Sequence, residues 1–148
     1  MEDFQDTFVK IILTVILSGI IGFEREIRNK EAGLRTHILV GVGSALIVLT
    51  SLYLFDIYKT VTVVDPTRLI SGIVTGIGFL CAGAIIRGGN RVSGLTTAAT
   101  LWIVSGIGMA VGSGAYVASL MVTAVVVCVL IFVRSMEKML DEKIRRQK

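Results

Sequence analysis

Seven ionisable side chains, Glu24, Arg25, Glu26, Arg28, Lys30, Glu31 and Arg35, crowd into twelve consecutive positions between two long apolar runs. Carboxylates and guanidinium groups at this spacing can pair with one another, coordinate a metal, or anchor helix ends among lipid headgroups. Metal coordination fits badly. A hard divalent cation needs several oxygen ligands and usually keeps waters, whereas Glu24 and Glu26 are the close carboxylates here and arginines beside them repel a cation. Acid–base or nucleophilic catalysis fits no better. Serines and threonines abound, but His37 is the only histidine, and a single imidazole among apolar neighbours is expected to hydrogen-bond at a helix interface. The chain therefore shows no catalytic residues, metal site or cofactor site, and it reads as a non-enzyme. The first and last charges of the stretch, Glu24 and Arg35, are expected to form an ion pair at the membrane border, with Arg25 beside them. Arg28, Lys30 and Glu31 read as headgroup anchors.

The elements that must hold these groups are hydrophobic. Of the 148 residues 53% are apolar, with 16 glycines and one proline, and mean hydropathy is +0.80, which is the composition of a membrane protein. The formal charge of +4 does not point to nucleic acid, because the basic residues lie between and after apolar runs instead of forming one patch. Five runs approach the spanning length of about 20 residues: Phe8 to Phe23, Ile38 to Phe55, Leu69 to Ile86, Leu95 to Val111 and Ala115 to Val133. They show none of the alternation of barrel strands, so each is predicted to be a helix. Lys10 alone places a charge inside a run. The N-terminal "MEDFQDTF" lacks the basic region of a cleaved signal peptide, so the first run is expected to stay in the mature protein.

Twelve of the fifteen Lys and Arg residues fall in the first connection, the third connection and the tail. The positive-inside rule then puts the N-terminus outside and the C-terminus in the cytoplasm, as five spans require. Residues 1–133 form the predicted all-α, polytopic five-helix domain, and 134–148 a basic amphipathic tail. Val133, Met136, Leu140 and Ile144 recur at helical spacing, so the tail either prolongs the fifth helix or lies on anionic lipid.

Small residues are predicted to pack the helices. Gly72, Gly76 and Gly83 share one face of the third helix, with Gly78 elsewhere on it, and Ser105, Gly108 and Gly112 repeat the device on the fourth. No Lys-Ser or Lys-Thr follows these glycines, so they are not a nucleotide-binding loop. Asp65 before Pro66 reads as the start of the third helix, and Arg68, one turn in, can pair with Asp65 or another carboxylate. The third connection is expected to turn at Gly88, Gly89 and Asn90, with Ser93 capping the fourth helix. Thr36, Thr96 and Thr97 complete the candidate polar cluster with Glu24, Arg25, Arg35, Asp65 and Arg68. Trp102, two turns deeper, is expected to pack inside. Cys81 and Cys128 lie in apolar runs and read as small hydrophobes.

Four segments in order, "GFERE", "AGLRTHILVGVGSAL", "DPTRLISGIVTGIGFLCAGAII" and "GLTTAATLWIVSGIGMAVGSGAY", resemble the membrane domain of the MgtC/SapB family over Gly22 to Tyr116. Where that family reads Gly-Phe-Leu-Gly-Ala-Gly, this chain has Cys81 in the fourth place, which alters close packing there. The resemblance implies a multi-pass protein of the bacterial inner membrane linked to growth at low magnesium, to acid stress and to pathogen survival. It also implies contact with another membrane protein such as the F-type ATP synthase, while the small-residue faces imply a homodimer or other homo-oligomer in the bilayer. The soluble C-terminal domain of some similar proteins has no counterpart in these residues. Three readings follow: a regulatory or accessory membrane protein, a small ion transporter or channel lined by Glu24, Arg35, Asp65 and Arg68, and a dimeric module that recruits partners.

The predicted orientation is open to labelling. A cysteine introduced at Thr60 should react with a membrane-impermeant thiol reagent in intact cells, whereas one at Asn90 or Gln147 should resist it; the reverse pattern would invert the topology.

Overall fold

A computed structural model describes residues 4–63, 65–88 and 91–145 of the chain. Five helices follow one another, α1 (Phe4–Ile27), α2 (Leu34–Tyr58), α3 (Thr67–Ala84), α4 (Leu95–Gly112) and α5 (Tyr116–Arg145). Each is long and apolar enough to cross a membrane, and each closes its backbone hydrogen bonds within itself, as hydrocarbon demands. The architecture is an all-α polytopic bundle. Its helices overrun the apolar runs because Glu, Arg and Lys are good helix formers wherever the chain leaves the apolar layer. The helical backbone of α5 accordingly carries on to Arg145, so the tail prolongs the fifth helix; its amphipathic face at Met136, Leu140 and Ile144 lies outside the described side chains.

The third span ends at Ala84, earlier than its apolar run, since Ile86 opens a small hairpin. Strands β1 (Ile86–Gly88) and β2 (Arg91–Ser93) pair antiparallel, Ile86 opposite Ser93 and Gly88 opposite Arg91. Three-residue strands carry too little alternation to be read from sequence. Gly89 and Asn90 of the expected turn lie outside the described residues. Ser93 does not cap α4: in register with Ile86, its hydroxyl donates to the Ile86 carbonyl across the hairpin at 3.4 Å. Gly94 takes the cap position with φ +84° and offers no side-chain hydrogen bond. A Cβ there would collide with the Ala84 carbonyl, so this turn requires glycine on grounds of both conformation and space.

Helix α4 is the centre of the bundle, in contact with α1, α2, α3 and α5. More than half of its span, 56%, is buried, against 11% of α3. Leu17 and Ile21 of α1 pack with Val104, Ile107 and Val111 of α4 and Val126 of α5. Backbones meet most closely along α2. A Cβ on Gly108 would fall within the contact shell of the Gly41 carbonyl, and one on Gly112 would lie 3.0 Å from the Ala45 carbonyl and the Val48 Cβ. Gly22 of α1 is held as tightly, its Cβ position being 2.8 Å from His37 Cβ and 2.9 Å from Leu34 Cα. The approach lets hydroxyls meet across helices, as where Ser44 donates to Ser105 at 3.1 Å.

Two expectations change here. Gly72, Gly76, Gly78 and Gly83 do not pack against another helix among the described residues: nothing there lies within 4 Å of a Cβ added at any of them, and Ile73 is the buried residue of α3. Their spacing defines a face, but α3 meets α4 and α2 through its other side. Trp102 is 52% exposed on the bundle surface, because Ala98, Leu101 and Ser105 take the inward positions of that part of α4 and leave it facing out.

At the bundle end opposite the charged connection, Tyr116 donates to Asp6 at 3.3 Å and Lys10 pairs with Asp6 at 2.7 Å, joining the starts of α1 and α5. Ser51 donates to the Pro66 carbonyl at 2.5 Å, tying α2 to the entry of α3.

Gly108→Ala should therefore lower the stability of detergent-solubilised protein by about 1–3 kcal/mol, the usual cost of overpacking. Gly76→Ala should leave the melting temperature unchanged or raise it, as removing a helical glycine with open space around it favours the helix by up to about 1 kcal/mol. Equal losses would mean that α3 is packed more tightly than its surroundings indicate.

Candidate functional site

The connection from α1 to α2 owes its shape to Asn29. Its φ of +51° places a left-handed residue just beyond the helix, where asparagine is tolerated. The N–H of Asn29 donates to the Glu26 carbonyl at 2.9 Å and that of Lys30 to the Arg25 carbonyl at 3.1 Å, a Schellman closure of α1. The chain then reverses, and Glu26 reaches forward to accept from the Leu34 N–H at 2.7 Å, capping α2 with a carboxylate at its positive end. Gly33 has no side chain there, and a Cβ would lie 2.7 Å from the Glu26 carboxylate oxygen.

This reversal gathers the charges. Arg25 is 4% exposed, with one guanidinium nitrogen 3.6 Å from a Glu24 carboxylate oxygen. Arg28, one turn on, pairs with the other oxygen through Nε. The expected Glu24–Arg35 pair is absent among the described residues; Arg35 is exposed on α2. Helix spacing explains this, for Arg28 at i+4 projects over Glu24 whereas Arg35 starts a new helix on its outer face. The contacts of Glu24 are contacts of charge: both its oxygens, like Arg25 Nε, are buried without a hydrogen-bond partner.

Glu31 and Thr97 bring the connection to α4. Thr97 is buried, and its hydroxyl donates to Glu31 at 3.1 Å. Hydrogen bonding from its own backbone N–H, then from Thr97, holds the Glu31 carboxyl below its ordinary value. One turn further, Thr100 meets His37, which is fully buried between α2 and α4. His37 Nδ1 lies 2.8 Å from the Gly33 carbonyl and must donate to it, since a carbonyl only accepts. Nε2 is 3.0 Å from Thr100 Oγ1, which also lies 2.9 Å from the Thr97 carbonyl. A hydroxyl has one hydrogen, so in the neutral ring Thr100 serves Nε2 and leaves that carbonyl.

The eight residues of the candidate cluster are thus not one cluster. Glu24, Arg25 and Thr97 come together, with Thr96 exposed at the edge and Thr36 half-buried on α2. Asp65 and Arg68 sit beyond the other end of α2, whose 25 residues span about 37 Å at 1.5 Å per residue. There Asp65 accepts from the Thr67 hydroxyl at 2.6 Å and the Thr67 N–H at 2.9 Å, bonds that hold its carboxyl below the ordinary value. It starts a helix; Arg68 is exposed and makes no ion pair among the described residues. Sequence reading undervalued Arg28, Lys30 and Glu31, which line the site, and the Asn29 that positions them. An asparagine just past a helix, before Gly33, was the available signal.

Together these groups border a cavity of about 670 Å³. One wall is the charged end of α1 with Lys30 and Glu31, the floor is the start of α4 from Gly94 to Thr97, and Val129, Leu130 and Val133 of α5 form an apolar side. Among the described residues no three His, Cys, Asp or Glu side chains come together as a metal site would need.

The profile of the MgtC family matches residues 11–139. YhiD of Escherichia coli (strain K12), whose given name proposes a magnesium transporter, is 47% identical over 110 residues, 73% of this chain and 51% of that protein. Protein MgtC of Salmonella typhimurium (strain LT2) is 38% identical over 134 residues, 90% of this chain and 55% of its own. Protein SapB of Bacillus subtilis (strain 168) is 40% identical over 115 residues, covering 75% and 49%. The chain spans about half the length of these curated relatives. No solved structure matches it.

A double-mutant cycle distinguishes the two candidate partners of Glu24. Glutamine substitutions at Glu24 and Arg28 should show a coupling of about 0.5–3 kcal/mol in thermal unfolding, as contacting residues do, while the Glu24 and Arg35 pair should be additive within about 0.5 kcal/mol. A larger coupling to Arg35 would restore the pair expected from sequence.

Proposed function

Since this chain belongs to the MgtC family, we propose that it is a regulatory or accessory protein of the bacterial inner membrane, linked to adaptation to low magnesium or acid stress, and that it acts by contacting other membrane proteins. The carrying observation is the state of α3. This helix spans the apolar layer, yet Gly72, Gly76 and Gly83 are open and most of its length is uncovered. In lipid, where burial of apolar side chains gives helices no reason to associate, an open small-residue face is what permits close contact with another helix. The occupant is a second copy of the chain or a different membrane protein, the F-type ATP synthase being the candidate suggested by the family. The magnesium link comes from the family and from the given name of YhiD; the scarcity of clustered carboxylates among the described residues favours a role in the response to magnesium over a dedicated site for it.

A second reading, a small ion transporter or channel, has its own support. Lys10, Thr14 and Ser18 are buried at four-residue intervals along α1, and Ser44, Ser105, His37 and Thr100 continue the polar seam toward Arg25. Intramembrane polar residues of this kind mark ion pathways in some proteins.

Two measurements separate the readings. Purified protein in liposomes should give no ion flux above empty vesicles, whereas Gly76→Cys should crosslink in native membranes to itself or to a second membrane protein, and Gly76→Leu should abolish the association without unfolding the chain. Flux that scales with protein and falls in Ser18→Leu would replace the accessory reading with the transport one.

A further inference from the structure

The cavity at the charged end holds more donor capacity than the chain itself uses. Three cations, Arg25, Arg28 and Lys30, face two carboxylates, Glu24 and Glu31, which leaves one positive charge in excess. The Arg25 side chain is only 5% exposed, and its Nε donor has no hydrogen-bond partner. Such a group costs free energy unless something fills the position in front of it.

The start of α4 adds an independent set of donors. A helix leaves its first N–H groups unpaired and partially positive. In α4 the left-handed Gly94 supplies no cap, and Ser93 is committed to Ile86 across the hairpin. The same residues that leave this 18-residue helix uncapped border the cavity. Backbone donors, guanidinium donors and an ammonium therefore approach one space from separate elements. A carboxylate offers two oxygens in a plane; a phosphoryl group offers a tetrahedral set that can meet side-chain and helix donors together. Opposite them Val129, Leu130 and Val133 present no polar atom, and the volume falls in the range of about 300–1,000 Å³ typical of small-molecule sites, well beyond bare phosphate.

We propose that this cavity binds a phosphate ester whose phosphoryl group is held by Arg25, Arg28, Lys30 and the N-terminus of α4, with its apolar neighbouring portion against α5. The ester is either the headgroup of an anionic phospholipid or a soluble phosphomonoester; both present the same chemistry to the same donors. The site goes beyond the accessory role proposed above and does not rest on it, because that role is carried by α3 and this one by the end of α1, the start of α4 and α5.

The test uses the full chain in detergent, titrated in native mass spectrometry with phosphatidylglycerol, with diacylglycerol of the same acyl chains, and with glycerol 3-phosphate. Phosphatidylglycerol should bind at least about tenfold more tightly than diacylglycerol, the equivalent of one charge-assisted hydrogen bond. Arg25→Gln should remove most of that preference, and Arg28→Gln and Lys30→Gln should each reduce it by about threefold or more, with Lys30→Arg restoring it. Arg35→Gln and Lys59→Gln, which alter charges outside the cavity, should leave it intact. Should Arg25→Gln fail to fold, the Arg28 and Lys30 variants decide, with circular dichroism confirming their helices. Binding of glycerol 3-phosphate with the same variant sensitivity identifies a soluble ester as the ligand; binding of the lipid alone identifies a headgroup. Equal retention of phosphatidylglycerol and diacylglycerol together with no binding of glycerol 3-phosphate, or wild-type binding of the phosphate probes by the Arg28 and Lys30 variants, would overturn the proposal.

Discussion

The bundle depends on the close approach of the α2 and α4 backbones, with the Gly41 carbonyl against Gly108 and the Ala45 carbonyl against Gly112. In hydrocarbon a leucine gains little by moving from lipid to protein, so helices associate through dispersion contacts and interhelical hydrogen bonds that both demand short distances. Glycines provide the distance. The Ser44–Ser105 and His37–Thr100 bonds follow from it, as does the burial of α4 among four neighbours. A side chain at the crossing would separate not one contact but a row of them.

The same crossing organises the charged end. Gly22 brings α1 onto α2 beside His37, and the Asn29 closure then turns the chain within six residues, so that Glu26 caps α2 and Glu31 reaches Thr97 on α4. Arg25 is buried there because the reversal covers it. Its nearby carboxylate reduces the cost of burial, yet Glu24 is shared with Arg28 and gives neither guanidinium a hydrogen bond of good geometry. The residual donor capacity is a product of the fold, since each charge taken alone would serve equally well as a headgroup anchor.

Helix α3 stands apart from this economy. Ser51 ties its entry to α2, and Cys81 donates its thiol to the Ala98 carbonyl at 3.2 Å. The thiol thus adds a polar contact between α3 and α4. The glycine face stays uncovered among the described residues. A span so little buried within the chain is free to exchange lipid for another helix.

Number and type of the spans were legible from sequence because an apolar run near membrane length has one way to satisfy its backbone, and the start at Asp65 was legible because a cap acts within three residues. The family resemblance was legible in contiguous motifs. Partners separated by a helix were not. Periodicity shows that Gly76 and Gly108 each lie on a small-residue face, but only the packing decides that α2 covers the second and nothing among the described residues covers the first. Likewise the charges from Glu24 to Arg35 announce an ion pair without naming it. Arg28 prevails over Arg35 because a continuing helix fixes the i+4 neighbour, whereas the direction of the next helix depends on where Gly22, His37 and α4 allow it to lie.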